Sequence, residues 1–144
     1  MTDYDEAYDI IDPWLYSVLS ADSTIVAAVG DRLASSLSGE ALAPPYITWE
    51  IPSTRSIRGV GGVLLDTDSL VNIKAVTQGT SFGDGSALRA RMKALLDEKD
   101  ATVSTPIAAS LTSFWETNFR YPEVTEGVPY RHVGAAYRIR AVAL

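Results

Sequence analysis

The last sixteen residues of the chain, PYRHVGAAYRIRAVAL at 129–144, alternate like a β-strand over almost their whole length. At about 3.3 Å per residue this run extends on the order of 50 Å, whereas strands average about 5–6 residues. We expect so long a strand to bend, to break or to reach outward, and an exposed edge of that length invites pairing with another chain. The two faces of the predicted strand are Val133, Ala135, Tyr137, Ile139 and Ala141 on one side, and His132, Gly134, Ala136, Arg138, Arg140 and Val142 on the other.

Composition restricts the class of protein. With 144 residues, of which 47% are hydrophobic, we expect a single compact domain over 1–144 with a real core. The chain has no cysteine, which excludes disulfides, a thiolate nucleophile and cysteine-based metal sites. The formal net charge is −6. That balance argues against binding nucleic acid through bulk charge, because such binding needs clustered Lys and Arg.

Nothing in the sequence indicates a membrane partner. The N-terminal residues MTDYDEAYDIID lack the basic and apolar regions of a secretory signal. The longest purely apolar run, Ile25–Val29, has about five residues, whereas a bilayer-spanning helix needs about 20. We therefore expect a soluble protein.

Charge is divided between the two ends of the chain. Residues 1–31 contain seven acidic residues and no Lys or Arg, whereas residues 130–144 contain Arg131, Arg138 and Arg140 and no acidic residue. These charges either pair or are solvated within one folded subunit, or they meet across a boundary between subunits.

Three helices are predicted. Asp12 and Pro13 suit the start of a short first helix, DPWLYSVLS, with Asp12 as its N-cap. A second short helix follows, with Asp22 or Ser23 as the cap and Gly30 at its end. The third and main helix lies within residues 79–100, where Leu88, Met92, Leu95 and Leu96 form an apolar stripe that should pack on a sheet.

The remaining segments favour strands. The loop SSLSGEALAPP precedes a strand at Tyr46–Ile51. The Gly- and Ser-rich residues 52–62 predict a flexible connection, and with the following residues they define a flexible arm at about 52–68 that enters a second strand. Two further strands, broken near Ala109 or Ser110, and a turn at 125–129 lead into the last one. The fold class is therefore α/β (α+β): a small mixed, mainly antiparallel sheet packed against a central helix, with short N-terminal helices.

The sequence offers little catalytic chemistry. His132 is the only histidine and no Ser lies in a GxSxG motif, so a structural or interfacial histidine is favoured. GVGG at 59–62 and GDG at 83–85 lack the context of phosphate-binding loops. DTDS at 66–69 lacks the later Gly and Glu of a calcium loop. No enzyme activity, cofactor or metal is predicted.

Taken together, three stretches carry a resemblance to a known family. DPWLYSVLSADSTIVAAVGDRL, PPYITWEI and EGVPYRHVGAAYRIRA, arranged around the helix ALRARMKALL, resemble the tail terminator and tail-to-head joining proteins of long-tailed bacteriophages. The resemblance spans nearly the whole chain. It implies a structural virion protein at the head-proximal end of the tail, assembled in the host cytoplasm, that forms a ring of six subunits.

The resemblance also implies partners. The ring would end polymerisation of the tail tube protein and join the tail to a head-completion or connector protein, while genomic DNA passes through its lumen without specific binding. An alternative is a head-completion (stopper) protein or another oligomeric neck adaptor. The Arg-bearing face of the last strand and the arm would supply contacts between subunits. The candidate assembly residues are Arg55, Arg58, Arg131, His132, Arg138 and Arg140.

Overall fold

The part of the chain that this computed structural model describes, residues 3–61 and 64–144, folds into a six-stranded sheet with three α-helices on one face. The helices are α1 (Asp3–Ser20), α2 (Ser23–Val29) and α3 (Gly83–Leu96), and a 3-10 turn covers Ser36–Ser38. The strands are β1 (Leu33–Ser35), β2 (Tyr46–Arg58), β3 (Leu64–Gln78), β4 (Lys99–Val103), β5 (Ala109–Thr125) and β6 (Val128–Ala143). Across the described sheet the order is β1-β2-β3-β6-β5-β4, with β1 and β2 parallel and the other pairs antiparallel. The predicted fold class is confirmed.

The core lies between the helices and the inner face of the sheet. Leu88, Met92 and Leu96 of α3 are buried at helical spacing, and Leu95 is partly buried against the same cluster. The prediction that this stripe packs on the sheet is confirmed. At the first turn of α3, a Cβ added to Gly85 would lie 2.7 Å from a methyl carbon of Val133 in β6, so α3 approaches the sheet more closely than any other residue type would allow.

The short helix α2 begins and ends where the sequence predicts. Of the two candidate caps, Asp22 occupies the N-cap, and its carboxylate accepts a hydrogen bond from the Ile25 N–H at 3.1 Å. Gly30 follows the helix with φ 62°, a conformation that favours glycine.

The predicted start of the first helix at Asp12 is wrong. Helix α1 begins by Asp3 and contains Pro13 in its interior. Burial outweighs the loss of one backbone donor at the proline. Seven apolar residues on both sides of Pro13 pack into the core, namely Ala7, Tyr8, Ile10, Ile11, Trp14, Leu15 and Leu19.

The last strand is long, as predicted, but it is not an edge strand. β6 spans 16 residues and pairs with β3 on one side and with β5 on the other. The inner-face residues Val133, Ala135, Tyr137, Ile139 and Ala141 are all at most 2% exposed, which confirms the predicted alternation. The expectation of an exposed edge on this strand is wrong, because a strand buried on its inner face and flanked by two long neighbours gains more from a central position.

Two other segments differ from the sequence-based expectation. Residues 33–35, where the predicted loop begins, form β1, which pairs with residues 47–49 of β2. β2 continues beyond Ile51 to Arg58, and residues 53–58 pair with β3 up to Leu64. Residues 53–58 belong to the expected arm, whose flexibility stays a prediction. Gly62 and Val63 of that segment lie outside the described residues.

Asp12 has a different part in the structure from the one the sequence suggests. Its Oδ1 accepts a hydrogen bond of 2.7 Å from the Trp49 Nε1–H, and Trp49 is only 2% exposed. Burial raises the pKa of the Asp12 carboxyl, and the bond from Trp49 opposes that rise. The carboxyl therefore joins α1 to β2 and carries an unfavourable charge when it is ionised.

We expect Asp12→Asn to be more stable than the parent chain at pH 7, because the amide keeps an acceptor for Trp49 and removes the partly desolvated charge. The folded-state pKa lies above the unfolded one, so the penalty of ionisation develops as the pH rises above about 4. The advantage of Asp12→Asn should thus disappear in denaturation curves recorded below that pH. Asp12→Ala, which leaves the indole N–H without its acceptor, should lose about 1–3 kcal/mol. Equal stability of all three proteins at pH 7 would contradict this account.

Candidate assembly surface

The outer face of the sheet, opposite the helices, is the surface on which most of the predicted assembly residues lie. Its middle is a groove of about 300 Å³. Gly134 and Ala136 of β6 lie between β3 and β5 on this face and pair with Lys74, Asn72, Phe119 and Thr117. The groove is lined by Ser36, Thr48, Trp49, Glu50, Asn72, Lys74, Phe119 and Tyr121.

Neighbouring strands, rather than a helix, bury the outer face of β6. The Tyr121 ring stacks on His132 with centroids 4.4 Å apart, and the Lys74 ammonium donates to the Tyr121 hydroxyl at 2.8 Å. A Cβ at Gly134 would lie 2.7 Å from the Phe119 ring and 2.4 Å from the Ile73 carbonyl oxygen. The missing side chain at Gly134 is therefore what lets the Phe119 ring lie against the central strand.

Arg138 and Arg140 lie at one end of this face and pair with carboxylates of the same chain. The Arg140 guanidinium binds both oxygens of Asp66, with Nε 2.9 Å from Oδ2. Arg138 lies 3.4 Å from Glu116 and 3.7 Å from Asp68. The hydrogen bonds that Arg140 donates to Asp66 raise the pKa of Arg140, so the guanidinium stays charged. The DTDS segment thus supplies ion-pair partners to the last strand.

Arg55 and Arg58 lie at the same end, on β2. Arg55 is exposed, pairs in register with Asp68, and borders a cavity of about 170 Å³ together with Asp66 and Arg140. Arg58 pairs in register with Leu64 at the end of the strand. The four arginines at positions 55, 58, 138 and 140 therefore lie at the same end of the sheet, and we call this group the arm-end cluster.

Arg131 and His132 lie at the other end of β6. His132 is eight positions from Arg140 on this strand, which corresponds to roughly 25 Å. His132 is 5% exposed, and its Nε2 lies 2.6 Å from Glu123 Oε1. That hydrogen bond lowers the pKa of Glu123. Arg131 donates to the Thr80 carbonyl at 3.2 Å and lies over the Phe82 ring. Arg131 and His132 thus each bind a neighbouring segment of the same subunit. Their part in assembly stays a prediction.

Charged residues from both ends of the chain form ion pairs within the subunit, but their partners lie elsewhere in the chain. Arg138 and Arg140 of β6 pair with carboxylates of β3 and β5, whereas Asp22 of the acidic N-terminal region pairs with Arg91 of α3, which lowers the pKa of Asp22. The sequence analysis did not identify Phe119 and Tyr121 as residues of the outer face. Their i, i+2 spacing on β5, opposite Gly134 and His132, was the available signal.

The described residues contain no cluster of three or more His, Cys, Asp or Glu side chains that could hold a metal ion. No helix in residues 3–61 and 64–144 is long and apolar enough to cross a membrane. What the outer face provides is shape, aromatic surface and charge, which are properties of a binding surface.

We expect Gly134→Ala to destabilise the subunit by about 1–3 kcal/mol, because the new methyl group overlaps backbone and aromatic atoms that cannot move independently. The measurement is the free energy of unfolding from denaturant curves. Gly83→Ala is the matched control, since its Cβ would meet only Ser81 Oγ at 3.4 Å, and it should change stability by less than about 0.5 kcal/mol. If both variants unfold at the parent's denaturant concentration, Gly134 is not a packing constraint.

Neither a protein family nor a curated protein matches this sequence. The fold, in contrast, occurs in a solved structure described as "Virion of native gene transfer agent (GTA) particle". A chain of that particle superimposes with a TM-score of 0.74 over 99% of this chain and 100% of its own length. The two sequences are 16% identical, so the likeness shows that the two chains share a fold over their full lengths.

Proposed function

We propose that this chain is a structural virion protein that forms a ring, of six subunits, at the head-proximal end of a phage tail. In this role it ends polymerisation of the tail tube and joins the tail to the head connector. The observation that carries the proposal is the end-to-end likeness of the fold to a chain of a virion particle. Three segments of the sequence also resemble tail terminator proteins: the helical opening, the Pro45-Tyr46 strand entry and the last strand. This resemblance favours the head-proximal end of the tail.

The shape of the subunit supports an assembly role. Its helices cover one face of the sheet and leave the other with a groove, exposed aromatic surface and the arm-end cluster. Phe114, Tyr121 and Val142 on this face are 41–51% exposed. Exposed apolar groups of this kind, bordered by charge, are typical of surfaces that contact other proteins.

The tip of the arm supports the same role. Val60, at the turn after β2, has a relative exposure of 102%, so its side chain contacts nothing that is described in its own subunit. An apolar side chain in this position gains free energy only by contact with a partner.

We expect Val60→Asp to leave the subunit fold unchanged and to weaken assembly by about tenfold or more, since burial of a valine is worth about 1.5–3 kcal/mol. Mass measurement in solution reports the ring. Electron microscopy of tubes grown from tail tube protein, with and without the variant, reports tube length. Unregulated tube length with Val60→Asp, beside uniform length with the parent, is the expected result.

Leu37→Asp is the matched control, because Leu37 is 58% exposed but lies outside the arm, in the 3-10 turn. It should assemble like the parent. A parent chain that neither forms rings nor limits tube length would overturn the proposed function. Rings that bind head-connector protein but leave tube growth unlimited would assign the stopper or adaptor role instead.

A further inference from the structure

Two strands of the described sheet have free edges over much of their length. β1 pairs with β2 only at residues 47–49, and β4 pairs with β5 only at residues 109–113. Beyond these points, residues 50–58 of β2 and 114–125 of β5 have a strand neighbour on one side only, within the part of the chain that is described. A long free edge pairs with another chain unless it is blocked.

Side chains block the inner end of each free edge. The Tyr8 hydroxyl accepts a hydrogen bond of 2.9 Å from the Ile51 N–H of β2. An Asp97 carboxylate oxygen accepts one of 2.7 Å from the Trp115 N–H of β5. Both caps lie next to a β-bulge, after Glu50 in β2 and at Glu116 in β5. The backbone is therefore satisfied at these points, and free pairing begins only beyond them.

Prolines define the open stretches further. Pro52 lies on β2 and Pro122 lies on β5, and neither residue has a backbone N–H to donate. What remains is one run without proline on each strand, Ser53–Arg58 on β2 and Glu116–Tyr121 on β5. These two runs have equal length, and we call them the β2 edge and the β5 edge.

The positions and directions of the two edges are complementary. They lie on opposite flanks of the sheet, and the β2 edge lies toward the arm tip while the β5 edge lies toward the β5–β6 turn. Three successive antiparallel pairings, β2–β3, β3–β6 and β6–β5, make β2 and β5 run in opposite directions. Two copies in the same orientation, displaced along the strands, therefore bring a β2 edge beside a β5 edge as an antiparallel pair.

Charge favours this pairing over the pairing of like edges. The β2 edge carries Arg55 and Arg58 and no acidic residue, whereas β5 beyond residue 113 carries Glu116 and Glu123 against Arg120. Two β2 edges placed side by side would put four guanidinium groups along one strand pair, which is destabilising. An antiparallel β2–β5 pair that aligns Pro52 with Pro122 places Arg58 opposite Glu116 instead.

We propose that the β2 edge of one copy of this chain pairs with the β5 edge of the next copy as antiparallel strands, so that the sheets of neighbouring subunits are continuous. The contact is head-to-tail, and repeated rotation closes it into a ring. The inference rests on the proposed ring only for this closure. It differs from the sequence-based expectation in that the last strand, β6, makes no contact of this kind.

One register satisfies the geometry. It places Ile57 opposite Thr117 and Thr54 opposite Arg120, with Pro52 and Pro122 facing each other at the end of the paired run. In this register the outer faces match, because Ile57 shares its face with Asp66 and Thr117 shares its face with Ala136. Ile57 is 56% exposed and Thr117 is exposed in the single subunit, so both are free to approach a partner.

The absence of cysteine makes this register directly testable. Ile57→Cys and Thr117→Cys, prepared as separate full-length variants, are mixed under assembly conditions and oxidised. Opposed strand residues have Cβ atoms about 4.5–5.5 Å apart, close to the separation that a disulfide needs. We expect a disulfide-linked dimer in the mixture that contains one copy of each variant, and a ladder of linked species from the double variant.

The controls test two alternative interfaces between copies of the chain. Ile57→Cys alone reports pairing of like edges, and Thr102→Cys, exposed on the outermost strand β4, reports joining through the terminal strand. Neither should form linked dimers above the level of a reduced sample. Arg58→Glu in the Ile57→Cys background, which places two carboxylates opposite each other at positions 58 and 116, should reduce the yield of the mixed dimer severalfold while the unfolding midpoint of the subunit is retained.

Each outcome separates this inference from the proposed function. Links through Ile57 alone or through Thr102 overturn the pairing, and so does an oligomer of confirmed mass without any link between positions 57 and 117. In those cases the ring function stands. A chain that stays monomeric on tail tubes and at high concentration overturns both. Mixed links in rings that do not limit tube length retain the pairing and overturn the function.

Discussion

The structure depends on burying β6 from both faces. Its inner side chains fill the core beneath the helices, and its outer side is covered by aromatic side chains that lie across Gly134 from β5. Each face constrains the other, because a larger residue at position 134 would displace both the β3 backbone and the Phe119 ring. A central strand this long then fixes the direction and offset of its neighbours, which is why β2 and β5 end with free edges at opposite ends of the sheet.

The ion pairs follow from the same arrangement. Arg138 and Arg140 project from the outer face of the central strand near the arm, and their side chains are 41% and 59% exposed. Carboxylates in the matching register of β3 and β5, Asp66, Asp68 and Glu116, supply partners within the subunit. Surface pairs of this kind contribute little stability. Their effect is to order the outer face at the arm end, where Arg55 stays exposed beside them.

The two faces of the sheet have different environments. One face of the sheet is used for the core of the subunit, whereas the other presents a groove, exposed aromatic rings and a charged end. Caps, bulges and prolines restrict each free edge to a short run, which limits uncontrolled association. In the proposed ring, these restricted edges would limit how neighbouring copies can be placed.

Local pattern determined a good part of this fold. Alternation gave the faces and length of β6, the apolar stripe gave the packing of α3, and Asp22 with Gly30 bounded α2, because each of these signals is carried by neighbours in sequence. Tertiary structure decided the rest. Asp12 and Pro13 read as a helix start, yet burial of Tyr8 and Ile11 extends α1 past them. The pairing of Arg140 with Asp66, 74 residues away, and the central place of β6 depend on strand order. Strand order is set by long-range packing, which spacing along the chain does not encode.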